Sequence, residues 1–263
     1  MTHQQNRHHQ TVRKSEPQAR ESRSYTRVAI RLPSTFSPPG CVDGVQAFEP
    51  GRRTAILGPN AVAPLFRYLG GQFEAAAADS GGTGFSKRTG PGSMLGQRVF
   101  DERIQMSSDP NDPDGGFANW FGFLGRSFAT RKMRWIENGV LKNLVYDPEY
   151  GQARGKQYAA LPISLRVGGG TTTLDEMIAK CTEGIYVNRF SSVDMLDQQT
   201  GLLTGVTRDG CFLVRHRKID RPVKNFRFIE SPFFCLNKLV AVGPTARAAF
   251  GYTPSGRTEL DIS

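Results

Sequence analysis

Apolar residues in this chain alternate with polar ones more often than they recur every third or fourth position, so strands are expected to outnumber helices. Val28, Ile30 and Leu32 fall on one face of residues 25–32, the two-residue period of a half-buried strand, and Ser37-Pro38-Pro39-Gly40 breaks it. Thr54-Ala55-Ile56-Leu57 predicts a second short strand, followed by a short helix within 62–69 that Gly70-Gly71 ends. Residues 133–136 and 140–146 predict a hairpin around Glu137-Asn138-Gly139, because Asn-Gly accepts the positive φ of a tight turn.

Residues 161–167 predict a further strand, leading into Gly168-Gly169-Gly170. Thr173 and Glu176 have the spacing of a capping box, and Leu174, Met177, Ile178 and Cys181 form the apolar stripe of the helix it would start, with Gly184 closing it. Strands are then expected at 184–190, 202–207, 211–214 and 225–229, with Arg208-Asp209-Gly210 as a turn and a short helix at 234–240 after Ser231-Pro232. The pattern predicts an α+β fold, mainly antiparallel β-sheet with about three short helices.

Composition narrows the picture. At 38% hydrophobic residues, with 29 Gly and 16 Pro, the chain has the make-up of a soluble, loop-rich domain. No run approaches the ~18 apolar residues of a membrane span, and no apolar segment follows the basic residues at the start. The expected compartment is the cytoplasm, with no membrane partner. Residues 1–24 are rich in Gln, His, Arg and Ser and too poor in apolar side chains to offset ordering, so a disordered basic tail is expected there, carrying His3, His8 and His9.

The net charge is +10, but it is spread along the chain. The densest basic run beyond the tail, Arg215-His216-Arg217-Lys218, lies between two strand patterns and reads as a solvated turn, which argues against a nucleic-acid partner; an acidic protein surface would suit the charge equally well. Cys41, Cys181, Cys211 and Cys235 are far apart, with no CxxC pair, and read as reduced, buried thiols.

Two loops imitate ligand sites without meeting their requirements. Ser80-Gly81-Gly82-Thr83-Gly84 lacks the Lys-Ser/Thr pair of a P-loop and follows Ala75-Ala76-Ala77-Ala78, which is no strand, so a flexible loop is expected. Asp109, Asp112 and Asp114 are closely spaced, but Pro113 sits where a calcium ligand would be and no bidentate Glu follows, which favours a rigid turn. No Gly-x-Ser-x-Gly elbow is present, and no carboxylate pair stands out.

Between Thr54 and Phe228 the chain resembles the later half of the TldD/PmbA proteins, a family of metallopeptidases and their zinc-free partner subunits. The likeness is carried by Thr54-Ala55-Ile56-Leu57, Leu95-Gly96-Gln97-Arg98-Val99, Trp135-Ile136-Glu137-Asn138-Gly139-Val140-Leu141-Lys142 and Thr173-Leu174-Asp175-Glu176-Met177-Ile178. It continues through Gly184-Ile185-Tyr186-Val187-Asn188-Arg189-Phe190, Thr200-Gly201-Leu202-Leu203-Thr204-Gly205 and Arg221-Pro222-Val223-Lys224-Asn225-Phe226-Arg227-Phe228. The resemblance implies that residues 25–263 form a C-terminal domain of this family, shortened at its end.

Zinc-bearing members of the family carry His-Glu-x-x-x-His on the helix after a strand of the Ile56-Leu57 kind. A shared Ala-Val pair aligns that motif with Pro59-Asn60-Ala61-Val62-Ala63-Pro64. Both histidine positions are proline, which has no donor, and the general base is an amide. Pro64 also argues that the helix starts near Val62, with proline in its first turn.

His216 reads as a surface residue, and Cys235 does not match the C-terminal cysteine ligand of the zinc-bearing type. The resemblance thus implies no catalytic, cofactor or metal residues in this chain. It implies a zinc-free, PmbA-like subunit assisting a zinc-bearing TldD-like partner that cuts unfolded peptides. Two other readings fit the sequence: a small active hydrolase with an unrecognised site, and a truncated, non-functional copy.

Overall fold

The computed structural model describes residues 27–30, 51–112, 120–123, 126–129, 131–159, 165–168, 170–244, 246–253 and 256–262. The tail 1–24, Cys41, Ser37–Gly40 and the start of the strand expected at 161–167 lie outside them. The order is β1 (Arg27–Ile30), β2 (Thr54–Leu57), α1 (Pro59–Gly70), a 3-10 turn (Gly71–Phe73), α2 (Ala75–Asp79), β3 (Gln105–Ser108), β4 (Trp120–Phe123) and β5 (Arg126–Ala129). Next come β6 (Met133–Glu137), β7 (Val140–Leu141), α3 (Pro148–Ala153), β8 (Leu165–Gly168), α4 (Leu174–Lys180), β9 (Glu183–Asp197) and β10 (Leu202–Arg215). The chain continues with β11 (Lys218–Pro222), β12 (Arg227–Glu230), α5 (Pro232–Cys235), β13 (Leu239–Val242), β14 (Ala246–Thr253) and β15 (Gly256–Ile262).

The fold is α+β and mostly antiparallel. Its largest sheet has the order β11-β10-β9-β2-β1-β13, with β12 pairing β10 beside β11. Within it β13, β1, β2 and β9 run parallel, while β9, β10 and β11 are antiparallel. A four-stranded sheet, β7-β6-β3-β8, and two hairpins complete the strand set.

Around β2 both faces of the large sheet are covered, and its last three residues are all apolar and buried. Ile56 faces α4 and packs with Leu174, Met177, Ile178, Cys181, Tyr186 and Phe212. Ala55 and Leu57 point the other way, into the main core with Val62, Leu65 and Phe66 of α1. A strand buried on both sides loses the alternation of a half-exposed one.

The capping box of α4 is formed on both sides: Glu176 N–H donates to the Thr173 hydroxyl and Thr173 N–H to the Glu176 carboxylate. The Asn138-Gly139 turn is also formed, with φ of 50° and 72°. Cys181, Cys211 and Cys235 are free and buried.

Four local expectations are corrected. Gly184 does not cap α4; it lies in β9, where an added Cβ would meet the Cys181 sulfur and the Thr54 carbonyl, each at 2.6 Å. Arg208-Asp209-Gly210 is no turn but a bulge inside the continuous strand β10, with φ of +56° at Asp209 and +111° at Gly210. The helix expected at 234–240 is the single turn α5, capped by Ser231, and Leu239–Val242 is a strand that pairs β1. There are five helices among the described residues, because α2 and α3 span only five and six residues, too short to show a period.

Candidate functional site

The segment where a zinc helix would begin lies at the end of β2, beside the middle of the parallel strand β9. Gly58 extends the β2 pairing by one step, donating its N–H to Val187 of β9 at 2.8 Å. Its carbonyl then accepts from Ala61 and Val62 at 2.9 and 3.0 Å, which starts α1. Gly58 is required by space: a Cβ would lie 2.9 Å from the Asn188 carbonyl and 3.3 Å from the Tyr186 hydroxyl.

The helix therefore begins at Pro59, not near Val62. Proline at the first helical position loses nothing, since that N–H has no intrahelical acceptor. Pro64 falls in the helix interior and has no N–H to offer the Asn60 carbonyl four residues back. Burial outweighs the loss: Pro59, Ala61, Val62, Ala63, Pro64, Leu65, Phe66 and Leu69 are all buried, with α1 packed on β9 and β14. Within 59–64 only Asn60 reaches solvent.

Beside this helix start is a polar group that the sequence pattern concealed. The Asn188 amide donates to the Asp209 carbonyl at 2.9 Å, the Tyr186 hydroxyl lies 3.4 Å from Asn188 Oδ1, and Arg189 Nε pairs with the Asp209 carboxylate. The bulge at Asp209-Gly210 places that carboxylate opposite Arg189. Reading 208–210 as a turn hid the group; Asp-Gly inside a run otherwise fit for one long strand was the available signal.

This donor set does not fit zinc. Pro59 and Pro64 contribute no side-chain donor, Asn60 brings an amide, and the Asp209 carboxylate is engaged by the Arg189 guanidinium. His216 is exposed in the turn between β10 and β11. Cys235 is wholly buried in the main core, with its thiol 3.8 Å from the Pro232 carbonyl, and burial pushes its pKa well up. Burial likewise pushes the Cys211 thiol up to about 11. Among the described residues no three His, Cys, Asp or Glu side chains converge as a metal would need.

The two loops that imitate ligand sites have their polar groups committed internally. The N–H groups of Thr83, Gly84 and Phe85 are bonded to the side chains of Ser86, Gln72 and Thr83. Residues 80–84 form a loop of turns and bends, and it leads Phe85 fully into the core. Asp109 accepts from the Asn111 N–H at 3.0 Å and pairs with Lys132 at 3.1 Å, and Asp112 pairs with Arg166. Asp114 lies outside the described residues.

Comparison with known proteins agrees with the architecture. A TldD homologue of Buchnera aphidicola, described as a metalloprotease, is 27% identical over 185 residues, which is 64% of this chain and 37% of that protein. A candidate modulator of DNA gyrase from Thermotoga maritima superposes with a TM-score of 0.64 at 17% identity, over 76% of this chain and 46% of the other. A similar protein from Bacteroides thetaiotaomicron gives 0.63 at 20%, over 76% and 44%. TldE from Thermococcus kodakarensis gives 0.54 at 17%, over 79% and 46%.

The chain thus spans less than half the length of each of these relatives. No helix among its described residues is long and apolar enough to cross a membrane. The PmbA/TldA metallopeptidase C-terminal domain matches residues 50–260, and the chain belongs to that family.

Proposed function

We propose that this chain is a zinc-free, non-catalytic member of its family that assists peptide cleavage by a zinc-bearing partner chain. One observation carries the reading: α1 presents Pro59, Asn60 and Pro64 in the segment aligned with the zinc motif, so both nitrogen ligands and the general base are missing together. The domain proposed for this role is 25–263, with 1–24 as a basic tail, in the cytoplasm.

Its contribution would be to bind an extended peptide backbone. Strand β12 pairs with β10 on one side, and Ile229 at its centre is 60% exposed. A peptide strand added along its other side would gain main-chain hydrogen bonds with little demand on sequence.

The test is a panel of unfolded peptides incubated with the purified chain, with and without chelator, alone and with a zinc-bearing family member. The reading expects no turnover by the chain alone and faster turnover by the pair than by the zinc-bearing protein alone. Chelator-sensitive cleavage by the chain alone would refute it.

A further inference from the structure

We infer that the tip of the β10–β11 hairpin is a docking surface for an acidic segment of another protein. The inference starts from a comparison within the chain. Among the described residues two hairpins close through two-residue turns with positive φ at both positions. In β6–β7 the turn residues are Asn138-Gly139, at 50° and 72°; in β10–β11 they are His216-Arg217, at 50° and 64°. Asn-Gly is the pair that adopts this conformation with least strain, whereas a long side chain at positive φ crowds its own backbone. Histidine tolerates this region better than most residues, so it is Arg217, at 64°, that the second turn keeps where backbone energetics disfavour it. Strain retained at an exposed position points to a use for the side chain.

The surroundings identify the use. The His216 N–H donates to the Thr182 carbonyl at 2.9 Å, which ties the turn to the segment following Lys180 at the end of α4. Arg215 is the cross-strand partner of both Lys218 and Glu183. The two local carboxylates are already held, Glu183 by Arg53 at 2.6 Å and Asp220 by Arg221 at 3.3 Å. Lys180, Arg215, Arg217 and Lys218 are all exposed, and among the described residues none of the four is in an ion pair. They form a compact cationic tip on a turn that a backbone hydrogen bond anchors.

Carboxylates suit this tip better than nucleic acid does. Single strands need aromatic faces for stacking, and the apolar neighbours of the turn, Val214 and Ile219, pack instead with the α4 cluster. Duplex phosphates are gripped by a basic face large enough to follow the backbone over several contacts, whereas this patch is confined to four side chains at one hairpin tip with Glu183 and Asp220 among them. Arginine forks pair with carboxylates as readily as with phosphates, so the small extent of the patch favours a short acidic segment.

The experiment uses the full chain, a fluorescein-labelled oligoglutamate peptide and a labelled short DNA duplex, read by anisotropy. The double substitution His216→Asn with Arg217→Gly should raise the melting temperature and weaken oligoglutamate binding about tenfold at low salt. Lys218→Ala should weaken binding without changing the turn, and wild-type binding should fall as salt is added. Unchanged oligoglutamate affinity in the double variant would overturn the inference. So would tighter binding of the duplex through the same residues. Neither outcome depends on whether α1 can hold zinc, so this surface and the zinc-free reading stand or fall separately.

Discussion

Gly58 concentrates the local chemistry of the site in one residue. It ends a buried parallel strand, caps a helix without a side chain, and lets the Asn188 carbonyl and the Tyr186 hydroxyl approach within the space of a methyl group. Gly58→Ala should destabilise the protein by about 1–3 kcal/mol, since the closest obstacle is backbone and cannot turn aside. Gly51→Ala, where an added Cβ meets nothing within 4 Å, is the control and should shift the denaturation midpoint little. Equal midpoints for the two variants would remove the steric account of this junction. Tyr186 and Asn188 lie within the stretch that carries the family resemblance, but their convergence on Gly58 was not legible: an alternating strand pattern does not reveal which carbonyl a neighbouring strand will meet.

At the scale of elements, the parts that local chemistry specifies were legible. Thr173 and Glu176 announced α4 three residues apart, and Thr173→Ala should cost about 1 kcal/mol in chemical denaturation, with Thr173→Ser recovering most of it. The elements that tertiary contacts decide were not. Pro64 argued for a late start to α1, and burial of nearly the whole helix prevailed. Asp209-Gly210 looked like a turn because both residues favour turns, whereas cross-strand pairing on either side kept β10 continuous.

Strand β13 depends on a long-range clamp. Arg103 donates to the carbonyls of Leu239 and Val240 at 2.8 and 3.3 Å and is itself gripped by Asp101 through two bonds of 2.8 Å. Hydrogen bonding from Arg103 holds the Asp101 carboxyl below its ordinary value of 3.8. A carboxyl depressed on folding adds stability above its unfolded pKa and loses it as pH falls through the folded one. Unfolding midpoints followed downward from pH 5 should therefore decline less steeply in Asp101→Asn than in the wild type, and parallel curves would show that the clamp does not contribute.

For the whole molecule, the fold is that of the family, and the absence of zinc chemistry is proposed from the residues of α1. The architecture is shared with the solved relatives, and in this chain residues 59–64, Asn60 apart, are part of the buried core. The fold could be anticipated because periodicity and the order of matching segments extend along most of the chain. The proposed loss of the zinc site rests on donor chemistry, which is a property of residue type, whatever the packing. What the sequence did not show is that Pro59 opens the helix and that Asn60 alone in that segment touches solvent.

The most direct test is the zinc content of the full chain after expression in zinc-supplemented medium and removal of loosely held metal by gel filtration, measured by plasma mass spectrometry. The account predicts far less than one zinc per chain, with the same melting temperature before and after chelator. A retained equivalent of zinc whose removal lowers that temperature would contradict it.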